Sequence, residues 1–350
     1  MRTVRADDLR ALVARACEKM GARPEDADQV ATCLVWANLC GYDSHGVYRL
    51  GQYHEWWQKG LLDPAARPAV VAEKGFSARV DGRRAFGQIV ACYATQVAIA
   101  KAKAGGIAVV TAMNSNHMGR LADYAEALKG AGLIGLLSVN DSGAGQSVVP
   151  WGGMEPRLST NPIAMGIPGS QGPGILFDFS TSAAASGKVR QFWMRGQPVP
   201  PGWLIDSAGS PTSDPAALFT EPHGFLLPAG GHRGYALSLA VEVLSGILSG
   251  AGFANPQPGP EEMNGLFVLA LNVAWFRPPE QFCAEVDRLT AYVKSAKPQP
   301  GAEPIHIPGE RSRIEAARRV QEGIRLDEKT CALLSEVFTS LGLPAGLPSQ

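Results

Sequence analysis

The sequence predicts an α/β protein, with a sheet-bearing middle between helical segments at both chain ends. Short apolar, β-branched runs alternate with helical stretches from about residue 76 to 275. Apolar residues recur at helical spacing before that region and again after Pro279. The glycine fingerprint of the standard dinucleotide-binding fold is missing. Its nearest approach, Gly143-Ala144-Gly145, lacks the third glycine, and Pro150 follows where a helix should run.

Taken in order, Leu9, Leu12, Val13, Ala16 and Met20 form one helical face, which Gly21 ends. Pro24 opens a second helix with Glu25 and Asp26 in its first turn, where carboxylates complement the helix dipole. A polar loop, 41–46, leads to a third helix over 48–57. Strands are expected at 78–80, 107–113, 133–139, 162–168, 175–179 and 266–273, with helices at 88–104, 120–129 and 235–249. Residues 197–222 are rich in Pro, Gly and Asp and read as a long structured loop. From Pro279 the chain is helical again, interrupted at 297–309. Residues 1–75 and 276–350 are therefore expected to pack as one helical domain around a 76–275 α/β domain.

Composition narrows the function. The 32 basic and 32 acidic residues cancel, so no long-range field draws the chain to nucleic acid or an anionic membrane. The apolar stretch 235–253 is interrupted by Glu242 and several Ser and Gly, and reads as a core helix. The first ten residues hold three arginines and two aspartates, without the apolar core of a signal peptide. None of the six cysteines forms a CxxC pair, which fits free thiols in a reducing compartment. A cytoplasmic protein is expected. HxH, HExxH, GxSxG and GxxxxGK[ST] are all absent, so no metal site, serine hydrolase or P-loop chemistry is expected.

Among the six histidines, His54, His223 and His306 read as structural or surface groups. His117 lies in Asn114-Ser-Asn-His-Met-Gly119, just after a strand and before a helix, where open α/β sheets place functional groups. Asn and Ser there could instead cap the helix. His45 lies in the polar Asp43-Ser-His-Gly46 loop. His232, in Gly230-Gly-His-Arg-Gly-Tyr235, opens the long apolar helix, where backbone N–H groups favour an anion; a plain Gly-rich helix entry looks the same. Asp178 to Ser182, with Gly187-Lys188, offers hydroxyls, N–H groups and a cation for a ribose or pyrophosphate, or an ordinary capped turn.

Together these segments resemble the type-2 malate/L-lactate dehydrogenases, a non-Rossmann NAD(P)-dependent family. The matching runs are DSHGVYR (43–49), NSNHMGR (114–120), STNP (159–162), FDFSTSAAASGK (177–188), VPPGWLID (199–206), GGHRGYALSLAVEVLSGILSG (230–250) and IPGE (307–310). With AFGQ at 85–88 and the run around 37–49, they look closest to the hydroxycarboxylate dehydrogenases. The resemblance implies a mixed-sheet cofactor domain, a helical domain built from both chain ends, and a homodimer. It implies NAD or NADP as cofactor and a small 2-oxo/2-hydroxy acid as substrate.

For the site, the resemblance implies His117 as acid/base, with His45 as second candidate, and Ser44 and Arg49 on the substrate. Cofactor contacts carry over to His45, Gly119, Arg120, Leu121, Phe177, Asp178, Phe179, Ser180, Thr181, Lys188, His232, Asn264, Gly309 and Glu310. Arg233 departs from the family's frequent lysine, and Met118 from a frequent Phe or Ile. Two alternatives stay on the same fold: a cyclic-imine (pyrroline- or piperideine-2-carboxylate) reductase, or a ureidoglycolate-type dehydrogenase. A nonenzymatic ligand-binding protein is a third.

Overall fold

The structure, a computed structural model, describes residues 2–143, 145–170, 172–257 and 263–347; Met1, Ala144, Gln171 and residues 258–262 and 348–350 lie outside them. In chain order the elements are β1 (Arg2–Val4), α1 (Ala6–Lys19), α2 (Pro24–Leu39), α3 (Arg49–Gln58), β2 (Ala69–Lys74), β3 (Ser77–Asp81), α4 (Gly87–Gly105) and β4 (Ile107–Ser115). Then come α5 (Ala122–Gly130), β5 (Leu133–Asp141), β6 (Ile163–Ile167), β7 (Ile175–Phe179) and α6 (Ser186–Met194). Three two-residue strands follow: β8 (Leu204–Ile205), β9 (Pro211–Thr212) and β10 (Phe225–Leu226). The last elements are α7 (His232–Val241), β11 (Asn264–Asn272), α8 (Pro279–Lys294), α9 (Glu310–Glu322), β12 (Ile324–Leu326) and α10 (Glu328–Ser340). No helix among the described residues is long and apolar enough to cross a membrane.

The central sheet runs β2-β3-β4-β11-β5-β6-β7. Only β3 and β4 pair parallel, joined through α4; every other pair is antiparallel, so the sheet is mixed. Strand β11, late in sequence, inserts between β4 and β5. It therefore brings Asn264 beside Ser115 and Asp141. Helix α4 packs on this sheet through Ala91, Ala94, Ala98 and Ala102, all buried against Ala108, Val110 and Ala270. Small side chains on the helix let its backbone approach the strands closely.

A second core joins the two ends of the chain. Leu9, Val13, Val30, Leu34 and Tyr53 share one buried cluster with Ala316, Ile324, Leu334, Val337 and Phe338. β1 pairs antiparallel with β12, Val4 opposite Ile324.

Two details differ from the sequence reading of a helical 1–75 and 276–350. Residues 69–74 form edge strand β2; Ala-Val-Val-Ala-Glu-Lys suits either state, and pairing with β3 decides it. Helix α8 supplies nothing to the two-ended core. Its Asp287 instead accepts the backbone N–H of Ser170 (3.1 Å), in the loop between β6 and β7. The long apolar helix also changes character: α7 passes into a π-helical segment, Glu242–Ile247. That segment turns Glu242 and Ser245 into a buried polar network, and π-turns often mark such sites.

Candidate active site

The 43–45 turn is held from both chain ends. Asp43 accepts from Asn38 Nδ2 (2.7 Å) and from Arg319 Nη1 of α9 (2.8 Å). Gly46 is required here, since a Cβ would come within 2.2 Å of the Asn38 amide. Ser44 Oγ then lies 3.1 Å from His45 Nδ1. Arg49, at the first turn of α3, donates from Nε to Ser44 O (2.8 Å) and from Nη1 to Gln52 (2.7 Å). Those bonds use two of its five N–H groups. One hydrogen on Nη1 and two on Nη2 are left, enough for an end-on two-pronged pair with a carboxylate.

His117 sits on the loop leaving β4. The polar residues before it do not cap α5, which has no side-chain cap. Instead the buried Asn116 donates to Arg84 O (2.8 Å) and Ala85 O (3.2 Å), and Met118 N–H donates to Asn264 Oδ1 (3.2 Å). Gly87 permits the close approach of α4, because a Cβ there would meet Asn116 O at 2.2 Å. The result stacks His117 on His45, with ring centroids 5.6 Å apart.

Two residues that sequence reasoning did not single out complete the pair. Tyr53 OH lies 2.9 Å from His117 Nδ1 and accepts from Gln88 Nε2 (2.7 Å). Gln88 stood in the noted AFGQ run, but Tyr53 read only as part of a helix. A hydroxyl can donate to a bare Nδ1 or accept from a protonated one. When Tyr53 accepts from Nδ1–H, Nε2 is the bare nitrogen of the neutral ring and the one that exchanges a proton.

Burial pushes both imidazoles down, and the nearby arginines push further. His45 falls to about 3, through burial, Arg49 and Arg120. His117 falls well below its usual value through burial, Arg49 and His45. Both are therefore neutral at pH 7 and ready to accept a proton. The unfolded chain binds protons on these residues near pH 6.5 while the folded chain does not. Stability is therefore full above about pH 6.5 and is lost as pH falls toward the folded values. Each histidine contributes at most about 1.4 kcal/mol per pH unit across that window. Urea midpoints measured across it should fall with pH, and less steeply in a His45→Gln variant. Equal slopes would contradict the neutral buried state.

A second group of predicted residues lines a cavity of about 450 Å³. Arg120, Phe177, Asp178 and Gly309 meet there, with Tyr42 and His306. Arg120 pairs with Asp123 and lies 5.0 Å over the Tyr42 ring. Its Nε is buried with no hydrogen-bond partner among the described residues. Asp178 is committed to structure: its carboxyl accepts the Ala122 N–H (2.9 Å) at the start of α5, and burial raises its pKa against that bond. Gly309, at φ +99°, lies against Leu176, where a Cβ would come within 3.0 Å. Glu310 is paired with Lys294 (2.8 Å) and accepts the Ile307 N–H (3.0 Å). An unpartnered buried guanidinium nitrogen beside this cavity fits an anionic group of a ligand.

The remaining predicted residues stand around these two groups. Leu121 and Gly119 continue the His117 loop into α5, Gly119 at φ +73°. Thr181 is pinned to Thr160 O through both N–H (2.9 Å) and hydroxyl (3.1 Å), and Ser180 Oγ donates to Ser182 O (3.0 Å). Phe179 stacks on Phe177. Lys188 lies over Trp203, while Gly187 packs against Ser44. His232 is exposed, edge-on to Trp151, and has no contact with the His45–His117 pair in the structure. His54, expected to be structural, is buried with Nε2 2.9 Å from Ser340 Oγ.

Comparison with known proteins shows similarity in sequence and fold to malate, lactate and hydroxycarboxylate dehydrogenases. Hydroxycarboxylate dehydrogenase B of Escherichia coli (strain K12) is 35% identical over 344 residues, covering 97% of this chain and 94% of that protein. The malate dehydrogenase structure from Pyrococcus horikoshii OT3 superposes with a TM-score of 0.88 at 32% identity, covering 98% of this chain and 96% of that one. A delta1-piperideine-2-carboxylate reductase structure from Pseudomonas syringae pvar. tomato gives 0.84 at 31% identity, covering 96% and 100%. Residues 4–335 match the malate/L-lactate dehydrogenase family, and the chain belongs to it. It is an oxidoreductase acting on 2-hydroxy acids, and the family implies a nicotinamide cofactor.

Proposed function

We propose that the chain interconverts a small 2-hydroxy acid and its 2-oxo acid with NAD or NADP, using His117 as the acid/base. The observation that carries this reading is the His117 Nδ1–Tyr53 hydroxyl contact beside the stacked His45. Bound nicotinamide would supply the hydride acceptor or donor. Arg49 holds the substrate carboxylate through its free Nη1/Nη2 edge, and Ser44 orients the substrate beside it. In oxidation neutral His117, its Nδ1–H donated to the Tyr53 hydroxyl oxygen, takes the substrate hydroxyl proton at its bare Nε2. In reduction the proton returns by the same path. Arg120 and Gly309, with Phe177 at the same cavity, would hold the dinucleotide.

A second reading, reduction of a cyclic imine 2-carboxylate, is favoured by the similarity to the piperideine-2-carboxylate reductase structure. The same carboxylate clamp and proton donor would serve both. A panel of 2-oxo acids and a cyclic imine 2-carboxylate, each with NADH and NADPH, separates them. Oxidation of the cofactor with at least one 2-oxo acid is expected, whereas turnover of the imine alone would install the second reading. We also propose a homodimer. Leu237, Leu239, Val243, Ile247 and Leu248 expose an apolar face along α7 and the π segment that a second copy would cover. A monomeric mass in solution would overturn it.

A further inference from the structure

Helix α4 begins against the loop that carries His117. A Cβ on Gly87 would meet Asn116 O at 2.2 Å and His117 O at 2.3 Å, so glycine lets the first turn of α4 come this close. The next residue, Gln88, is thereby placed beside that loop and is fully buried. Its Nε2 donates to Tyr53 OH at 2.7 Å, and its Oε1 has no hydrogen-bond partner among the described residues. A buried acceptor without a partner costs stability, and an apolar side chain of the same length would avoid that cost. Packing alone therefore does not account for an amide at position 88. The Tyr53 oxygen has two acceptor sites and one hydrogen. Gln88 fills one acceptor site, and His117 Nδ1 stands 2.9 Å from the same oxygen. When Nδ1–H fills the second, the Tyr53 hydrogen has the His117 carbonyl oxygen as acceptor, at 3.5 Å.

We propose that Gln88 is a positioning residue for the proton transfer: its uncharged amide holds the Tyr53 hydroxyl against His117 Nδ1 and keeps the Gln88–Tyr53–His117 chain neutral, so that Nε2 stays the bare nitrogen. The proposal rests on the reading of His117 as the acid/base and adds what sets the protonation of its ring. The charged and titratable groups acting on His117 are Arg49 and Tyr53 of α3 and His45 of the 43–45 turn, and none is a carboxylate. Arg120, further along the His117 loop, acts on His45. In oxidation Nε2 takes the substrate hydroxyl proton. The imidazolium that forms has a hydrogen bond at Nδ1 but no counter-charge, so it gives the proton up readily. A carboxylate at position 88 would change this. Tyr53 would donate to it, Nδ1–H would donate to Tyr53, and the negative charge would favour the imidazolium.

The test is the pH profile of kcat/KM for hydroxy-acid oxidation in Gln88→Glu and Gln88→Met, each with and without Tyr53→Phe. Oxidation needs neutral His117, so kcat/KM falls as pH drops through its pKa. In Gln88→Glu that fall should move to higher pH by about one unit or more. Gln88→Met keeps the length and removes the donor, and should lower kcat about tenfold with KM for the acid little changed. Beside Tyr53→Phe neither substitution should have a further effect, because Gln88 acts through the hydroxyl. A Gln88→Glu profile at the wild-type position, or equal effects with and without the hydroxyl, would overturn the proposal. Nitrogen NMR of the histidine-labelled wild-type chain needs no variant at position 88. The signal that disappears in His117→Ala should show the Nδ1–H form of the ring; the Nε2–H form would equally overturn it. Full turnover in His117→Ala would instead remove the acid/base reading itself, so the two failures are told apart.

Discussion

His117→Ala is expected to lower turnover by about 10²–10⁴-fold, the usual contribution of a positioned general acid/base, while NADH binding stays near its original level. The separation follows from the geometry. His117 exchanges protons through Nε2 and leans on Tyr53 through Nδ1, whereas the unpartnered Arg120 nitrogen and Gly309 lie at a different cavity. Steady-state turnover on an accepted 2-oxo acid and NADH titration by fluorescence measure the two effects in one preparation. Loss of both together would make His117 a structural residue. Near-normal turnover would move the proton to His45, 5.6 Å away between ring centroids, or to water. The alanine also leaves the Tyr53 hydroxyl its Gln88 donor, so little of the surrounding packing depends on the imidazole.

The second large effect concerns a residue outside the site. Glu242→Ala is expected to destabilise the fold by about 2–4 kcal/mol, since removing a shared acceptor leaves several buried donors unsatisfied at about 1–3 kcal/mol each. Glu242 is 5% exposed. Its Oε1 accepts from Asn161 Nδ2 (2.8 Å), and its Oε2 from Asn140 Nδ2 (3.2 Å) and Ala254 N–H (3.1 Å). The network reaches the site in two further bonds. Asn140 O accepts from Asn264 Nδ2 (3.2 Å), and Asn264 Oδ1 accepts the Met118 N–H (3.2 Å) next to His117. A fall in the urea midpoint without a change in slope would report the lost stability. Glu242→Gln keeps an acceptor oxygen and should lose less; equal losses would mean the effect is packing rather than hydrogen bonding.

Much of the secondary structure was legible because helix and strand periods are local. Gly21, Pro24 and the β-branched run of β4 are signals carried within a few residues. The exceptions have local causes too: β2 has a composition that suits either state, and the π segment looks like a continuing helix until Glu242 is placed in its pocket. Within the site, Ser44, His45, Arg49 and His117 announced themselves through polar motifs in loops. Tyr53 did not, because an aromatic residue on an amphipathic helix is most often core, and Tyr53 is indeed buried. Asp178 was read as a ligand candidate, yet its carboxyl is occupied by the start of α5.

By itself the sequence determined the family, the α/β class, and the short list of groups able to carry charge or protons. Only the tertiary structure decided how those groups meet. His45 and His117 are 72 positions apart, and they stack because Asp43 is tied to Arg319 and Asn116 to the backbone before α4. Glu242 meets Asn140 for the same reason. Periodicity and motif spacing record what neighbouring residues do along the chain. Contacts across long separations are created by packing two cores together, and no local pattern encodes which side chains then face each other.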